Sequence, residues 1–207
     1  MKPIRIGITG GIGSGKSIVA KCLEKMGFPV FNADREAAAL LCSESTVVNQ
    51  VKIAFGENAY LPSGLPNKDH IASLVFSNPS KLQELNSIIH PAVSIRFEDW
   101  CRQNSQSKFV FKEAAILFES GADSQVHKVI GVIAPMEIRI SRVMQRDGKS
   151  RAQIEKVIQN QLPQKELISK CNFIIQNDDK HPVLPALLEI LDQLSTTTKR
   201  IDGTSGH

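Results

Sequence analysis

Aromatic residues make up only 5% of the 207-residue chain, with one Trp and one Tyr. No basic block interleaves with them, and 25 basic against 21 acidic residues leave a net charge of +4. This balance does not suggest a nucleic-acid partner, while a slight positive bias suits a small, phosphate-rich ligand. Cysteine is scarce too. Cys22, Cys42, Cys101 and Cys171 form no C-x-x-C pair, and most fall inside helical patterns, which predicts reduced thiols rather than a disulfide framework or a metal site. Long apolar runs are missing: Met1-Lys2-Pro3-Ile4 leads into a short run broken by Arg5, and nothing reaches the length of a signal or membrane segment. The expectation is a cytoplasmic protein without a membrane partner. No internal repeat is visible. What is present is 42% hydrophobic residues, enough for a packed core in one domain with an insertion.

The stretch Gly10-Gly11-Ile12-Gly13-Ser14-Gly15-Lys16-Ser17 fits G-x-x-x-x-G-K-[ST] and follows the apolar run Ile4 to Thr9. A strand feeding such a loop is the signature of a phosphate cradle. Glycines let successive backbone N–H groups converge on an anion, and the helix that follows adds its positive N-terminal end. Lys16 then supplies a point charge to the β- and γ-phosphates, and the Ser17 hydroxyl helps to hold Mg²⁺. Val19, Ala20, Leu23 and Met26 recur at helical spacing, with Gly27 placed as a stop. A dinucleotide-binding turn is the nearest rival, but Lys16 stands where that fingerprint needs glycine or alanine.

A second strand, Phe28 to Phe31, runs into Asn32-Ala33-Asp34 and a helix from Arg35 to Leu41. Asp34 sits at a strand's C-terminal end, the edge where open parallel sheets bind ligands, unless it only caps the following helix. Thr46 to Phe55 is helical. After a loop with Pro62, Gly64 and Pro66 come helices at Asp69 to Phe76, Pro79 to Ile89 and Pro91 to Arg102, the last two separated at His90-Pro91. No convincing strand falls between about 45 and 105, so this part reads as a helical insertion in a strand-helix sheet. His90 by spacing is a helix-junction residue.

The third strand, Phe109 to Lys112, ends in Glu113, a carboxylate placed to hold Mg²⁺ or its waters or else an exposed loop acid. Val129 to Ile133 is the fourth strand, and Pro135 opens a helix carrying Arg139, Arg142 and Arg146 on one face. Such a face is either solvated or turned to the charge of phosphoryl transfer. Ser150-x-x-Gln153 is a capping box for a helix to about Gln161, and Pro163 starts another, so two short helices form a candidate lid. Phe173 to Ile175 is the fifth strand, ending at Asn177. Pro182 to Leu194 is the last helix, and Ser195 onward reads as a tail.

With the P-loop, Asn32-Ala33-Asp34, His90-Pro91, Ile116-Leu117-Phe118-Glu119-Ser120-Gly121, Arg146-Asp147-Gly148, Gln161 and Asn177 in this order, the chain resembles dephospho-CoA kinase from about Ile4 to Leu194. The resemblance implies an α/β P-loop NTPase fold of three layers, α/β/α, with a five-stranded parallel sheet, a helical insertion for the coenzyme A moiety and a lid. The corresponding division is 1–44 and 106–194 for the nucleotide-binding core, with the lid at about 147–168, 45–105 for the insertion and 195–207 for a flexible tail. It further implies ATP and dephospho-CoA as partners, Mg²⁺ as cofactor, transfer to the 3′-hydroxyl in the last step of coenzyme A synthesis, and a monomer or weak homo-oligomer. The site residues it implies are Asp34, Lys16, Arg142 and Arg146 for catalysis, the loop from Gly10 to Ser17 with Asn177 for the nucleotide, and Ser17 and Glu113 for the metal. Asp34, His90, Leu117 and Glu119 fall to the acceptor. The family's Asp-Ala-Asp reads Asn32-Ala33-Asp34 here, its Asp-x-Pro reads Glu113-Ala114-Ala115, and Asn172 and Val157 replace a usual aspartate and a lid arginine.

Two other readings share the loop: another small-molecule kinase, such as a nucleoside monophosphate kinase, and a nucleotide-dependent switch. A guanine-reading Asn-Lys-x-Asp is missing, since Asn67-Lys68-Asp69 carries its aspartate one place early.

Overall fold

The computed structural model of the chain describes residues 2–76 and 78–202. Strand β1 (Ile4–Thr9) and helix α1 (Lys16–Lys25) open the order, followed by β2 (Val30–Asn32), α2 (Ala33–Ser43), α3 (Ser45–Phe55), α4 (Lys68–Phe76) and α5 (Pro79–Gln103). Then come β3 (Phe109–Glu113), β4 (Lys128–Ile133), α6 (Met136–Asp147), α7 (Arg151–Gln159), α8 (Gln164–Lys170), β5 (Phe173–Gln176) and α9 (Val183–Asp202). The five strands form one parallel sheet in the order β2-β3-β1-β4-β5. Thr9 lies beside Gly131, and Ile133 beside Gln176. Strands buried on both faces read as near-continuous apolar runs. Ile6, Ile8, Phe111, Ile130 and Val132 are accordingly all fully buried.

The chain divides into two compact units. One contains Ile4–Val30 and the chain from Phe111 onward. In it α1 packs on β1 and α9, α8 packs on β4, and α6 packs on α7. Gly27, at φ 86°, ends α1, with the Phe28 amide reaching back to the Leu23 carbonyl at 3.0 Å. Expected from Phe28, β2 begins only at Val30; Pro29 has no N–H to give a ladder, though its carbonyl accepts from Phe111 at 3.0 Å.

The other unit is Phe31–Val110 with Met1–Pro3. Between 45 and 105 it is built of helices, and the bridge Tyr60 to Pro66 is the one trace of pairing there among the described residues. It also takes in α2, outside the 45–105 span. Phe31 packs its ring on Phe97 and Trp100 at 5.1 and 5.5 Å, Tyr60 donates its hydroxyl to Leu41 O at 2.9 Å, and Leu40 is buried.

Three further boundaries differ from expectation for physical reasons. Helix α2 starts at Ala33, not Arg35, because Asn32 accepts the Arg35 amide at 2.8 Å and is its N-cap. The break at His90-Pro91 does not occur, and α5 runs through Pro91 to Gln103. Leu85, Ile89, Val93, Phe97 and Cys101, four apart and all buried, carry one apolar stripe past the proline. Finally, α9 continues through Ser195 to Asp202, with Ser195 and Thr196 hydroxyls donating to the carbonyls four residues before them; residues 203–207 of the expected tail lie outside the described residues. Among the described residues no helix is long and apolar enough to cross a membrane, and none of the cysteines is in a disulfide.

Candidate active site

The loop after β1 is shaped by glycines that nothing else can replace. Gly13 has φ 77°, and a Cβ there would stand 2.4 Å from the Arg139 carbonyl; Gly15 has φ 96°, and its Cβ would meet the Asn177 amide at 2.0 Å. Both positions combine left-handed backbone with close approach. Gly15 is the N-cap of α1, and no acid occupies the first turn of that helix, so its positive end is uncancelled.

Three consecutive loop carbonyls are tied to side chains. Arg139 Nε donates to Ile12 O at 2.9 Å, Arg142 reaches Gly13 O at 3.5 Å, and Asn177 Nδ2 donates to Ser14 O at 2.8 Å. Holding carbonyls in this way leaves the amides to face the other side, as an anion nest requires. The amides of Gly13, Gly15 and Ser17 have no acceptor among the described residues. Ser14 Oγ is buried and likewise without a partner there. Buried polar groups are nearly always satisfied, so an orphan hydroxyl beside orphan amides fits a loop built around an anion. On the other side of the loop the Ile12 amide donates to Gln161 Oε1 at 2.8 Å. Lys16 Nζ rests on the carbonyls of Gly10 and Gly11 at 2.7 and 3.3 Å.

The ends of neighbouring strands supply the rest. The Ala114 amide donates to Ile8 O at 3.0 Å, which sets Glu113, buried, beside the end of β1. Ser17 is exposed at the start of α1. Hydroxyl and carboxylate oxygens are hard donors, the chemistry Mg²⁺ selects, so the donor set fits that ion. Asn177, buried, follows β5, and its own amide donates to Ile133 O at 2.8 Å. Arg142 donates to its carbonyl at 3.1 Å and its Oδ1 at 3.3 Å, and pairs with Asp179. Next to it, Asp178 accepts from the amides of His181 and Lys180 at 3.0 and 3.1 Å and from Gln176 Nε2 at 2.8 Å. The His181 backbone bond, with its ring and the Lys180 amide assisting, holds the Asp178 carboxyl well below the usual range.

The expected site residues are not all alike. Arg146 is exposed and pairs with Asp147, which pushes its guanidinium pKa up, whereas Arg142 is engaged with the β5 end. Glu119 Oε1 accepts the Leu162 amide at 2.9 Å, fixing the segment between α7 and α8. Leu117, expected at the acceptor, is instead fully buried and lies where a Cβ on Gly7 would meet it, a core position that offers no side chain to a ligand. Asp34 and His90 belong to the helical unit. Asp34 is exposed in the first turn of α2, and His90, half-buried, lies inside α5. Since Asn32 is the cap, the alternative of Asp34 as the capping residue falls away. Asn172, a departure from the resemblance, accepts the Val129 amide on its Oδ1 at 2.9 Å and donates its own amide to Val129 O at 2.9 Å, so it starts the β4-β5 pairing. Arg139 is the loop contact that the sequence left among a helix-face trio; its burial is what sets it apart.

Comparison with known proteins agrees with this geometry. The family model CoaE, dephospho-CoA kinase, matches residues 4–182. A dephospho-CoA kinase of Bacteroides fragilis is 36% identical over 188 residues, 91% of this chain and 91% of that protein. One from Chlorobaculum tepidum is 38% identical over 182 residues, covering 85% of this chain and 87% of its own. Among solved structures, a protein from Thermus thermophilus superposes with a TM-score of 0.81 at 32% identity, over 95% of this chain and 98% of that one. The dephospho-CoA kinase from Campylobacter jejuni, at 23% identity, shares the fold with a TM-score of 0.67 over 94% and 98%.

Proposed function

We infer that this chain, which belongs to the dephospho-CoA kinase family, transfers the γ-phosphoryl group of ATP to the 3′-hydroxyl of dephospho-CoA, giving coenzyme A and ADP. The observation that carries the reading is the family match over residues 4–182, which takes in the helical unit as well as the loop. A phosphate loop by itself is common to many kinases, and the acceptor is chosen elsewhere.

In this reading the amides of Gly13, Gly15 and Ser17 and the Ser14 hydroxyl bind the polyphosphate. Lys16 exchanges the carbonyls of Gly10 and Gly11 for the β- and γ-phosphates. Asp34 accepts the proton of the attacking hydroxyl, since a sugar hydroxyl is a poor nucleophile near neutral pH. Arg146 leaves Asp147 to meet charge on the transferring group, and Arg142 holds Asn177 at the nucleotide. Mg²⁺, held by Ser17 and by Glu113 directly or through water, would neutralise the phosphate oxygens. Helices α3 to α5, with His90, take the acceptor, Glu119 anchors the neighbouring segment, and α7 with α8 forms the lid. Both substrates are charged molecules that do not cross bilayers, which supports a cytoplasmic enzyme.

The test is ADP release with dephospho-CoA, adenosine, AMP and shikimate offered in parallel, with Lys16→Ala as control. Dephospho-CoA should give the highest turnover, and the control should lose about 10²-fold or more in kcat, as when a preorganised charge is removed. Faster turnover on any other acceptor, or an active control, overturns the assignment.

A further inference from the structure

Helix α6 carries three arginines, and two of them have acids: Arg142 pairs with Asp179 and Arg146 with Asp147. The third does not. Arg139 is 6% exposed, and the one hydrogen bond of its guanidinium among the described residues is Nε to Ile12 O. Glu137, on the same helix, is held by Arg151 at 2.6 Å. The remainder of the Arg139 guanidinium lies against the loop, its Nη2 only 2.2 Å from where a Cβ on Gly11 would stand. Burial alone weakens its hold on its proton, with no carboxylate to counter it. A buried cation with one carbonyl for company is unfavourable unless a counter-charge arrives. The anion that the loop is shaped to receive is the counter-charge within reach.

We propose that Arg139 is a positioning residue whose charge, seated behind the loop on Ile12 O, is uncompensated in the nucleotide-free protein and is balanced by the polyphosphate when the loop fills. The inference rests on the reading of the loop as a triphosphate cradle. It acts through the backbone of Gly11, Ile12 and Gly13 and not by contact with the reacting atoms. Linkage makes the two halves inseparable: whatever the charge costs the empty protein is returned as affinity for the anion.

Thermal unfolding and calorimetric titration with inorganic tripolyphosphate separate this role from simple packing. Arg139→Gln keeps a donor for Ile12 O but removes the charge; Arg139→Met removes both; Arg139→Lys keeps the charge. The neutral variants should unfold at or above the wild-type temperature without ligand, bind tripolyphosphate about tenfold more weakly, and gain correspondingly less stability from it. Arg139→Lys should recover most of the affinity. Neutral variants that are unfolded or markedly less stable when empty, or that bind tripolyphosphate as tightly as wild type, overturn the proposal. A wild-type protein that does not bind tripolyphosphate removes the loop reading itself, a different failure from wild-type binding that Arg139→Gln leaves unchanged.

Discussion

Asp34 and Asn32 stand two residues apart, and the proposed function gives them different jobs. Asn32 accepts the Arg35 amide and caps α2, while Asp34 is exposed one position into the helix. Asp34→Asn therefore leaves the cap in place and removes the ability to take a proton, so kcat should fall by about 10²–10⁴ while the unfolding temperature stays close to wild type. Asn32→Ala should do the reverse, costing about 1 kcal/mol of stability with kcat per folded molecule kept. Steady-state kinetics and thermal unfolding on the two variants decide it: normal turnover in Asp34→Asn leaves that side chain as a first-turn acid favoured by the helix dipole and nothing more. The phosphate loop was legible from sequence because glycine, lysine and serine there answer local backbone demands. Arg139 was not, since three arginines at helical spacing look alike until packing buries one of them under the loop. Leu117 misled for the opposite reason: it stands in a run shared with the family, yet its place under Gly7 makes it core.

Elements were legible wherever local chemistry agreed with packing and misread where packing overrode it. The capping box at Ser150 and Gln153 is present with both bonds, as the spacing predicts. Pro91 predicts a break that α5 does not make, because five buried residues spaced by four keep both halves on one stripe. The proline still lacks a donor and crowds the preceding turn, at a cost in a helix interior of up to about 3 kcal/mol. Pro91 itself is exposed. Pro91→Ala should thus raise the midpoint of urea unfolding with no loss of helical content; a lowered midpoint would mean that the proline's own ring contributes packing. The connection from β5 to α9 carries a second consequence. Asp178 is held below the normal carboxylate pKa chiefly by the His181 amide, so its contribution to stability is complete above the unfolded value of about 4 and is lost as pH falls from there toward its lower folded value. Asp178→Asn should be less stable than wild type near pH 7, with the difference closing as the pH is lowered through 4 to 3. A gap that stays constant over that range would rule out the carboxylate's charge as its source. Asn177, the neighbour that ties down Ser14 O, should become less well held over the same range.

The division into two units follows from where strands are absent. The sequence marks 45–105 as helical and strandless, whereas the compact unit of the structure also holds α2, which the sequence could not assign because what it packs on, α5 and the Tyr60 hydroxyl on Leu41 O, lies far along the chain. Long-range pairings of this kind leave no periodic trace in the segment that receives them. In the proposed function the two units take one substrate each. The orphan amides, Ser14 Oγ, Lys16 and the tied carbonyls all belong to the unit with β1, and the proposed function leaves the acceptor to the helical unit. Hydrogen exchange tests that separation on the whole molecule. Tripolyphosphate or ADP should protect amides from Gly11 to Ser17 and around Gln161, whose side chain accepts from Ile12. Dephospho-CoA alone should instead slow exchange within α3 to α5. Amides of a well-packed helix exchange through local opening, and a ligand bound to the closed form suppresses that opening in proportion to its occupancy. Protection by dephospho-CoA that is confined to the loop and to α7 would put the acceptor on the wrong unit and withdraw the helical unit, His90 with it, from substrate recognition.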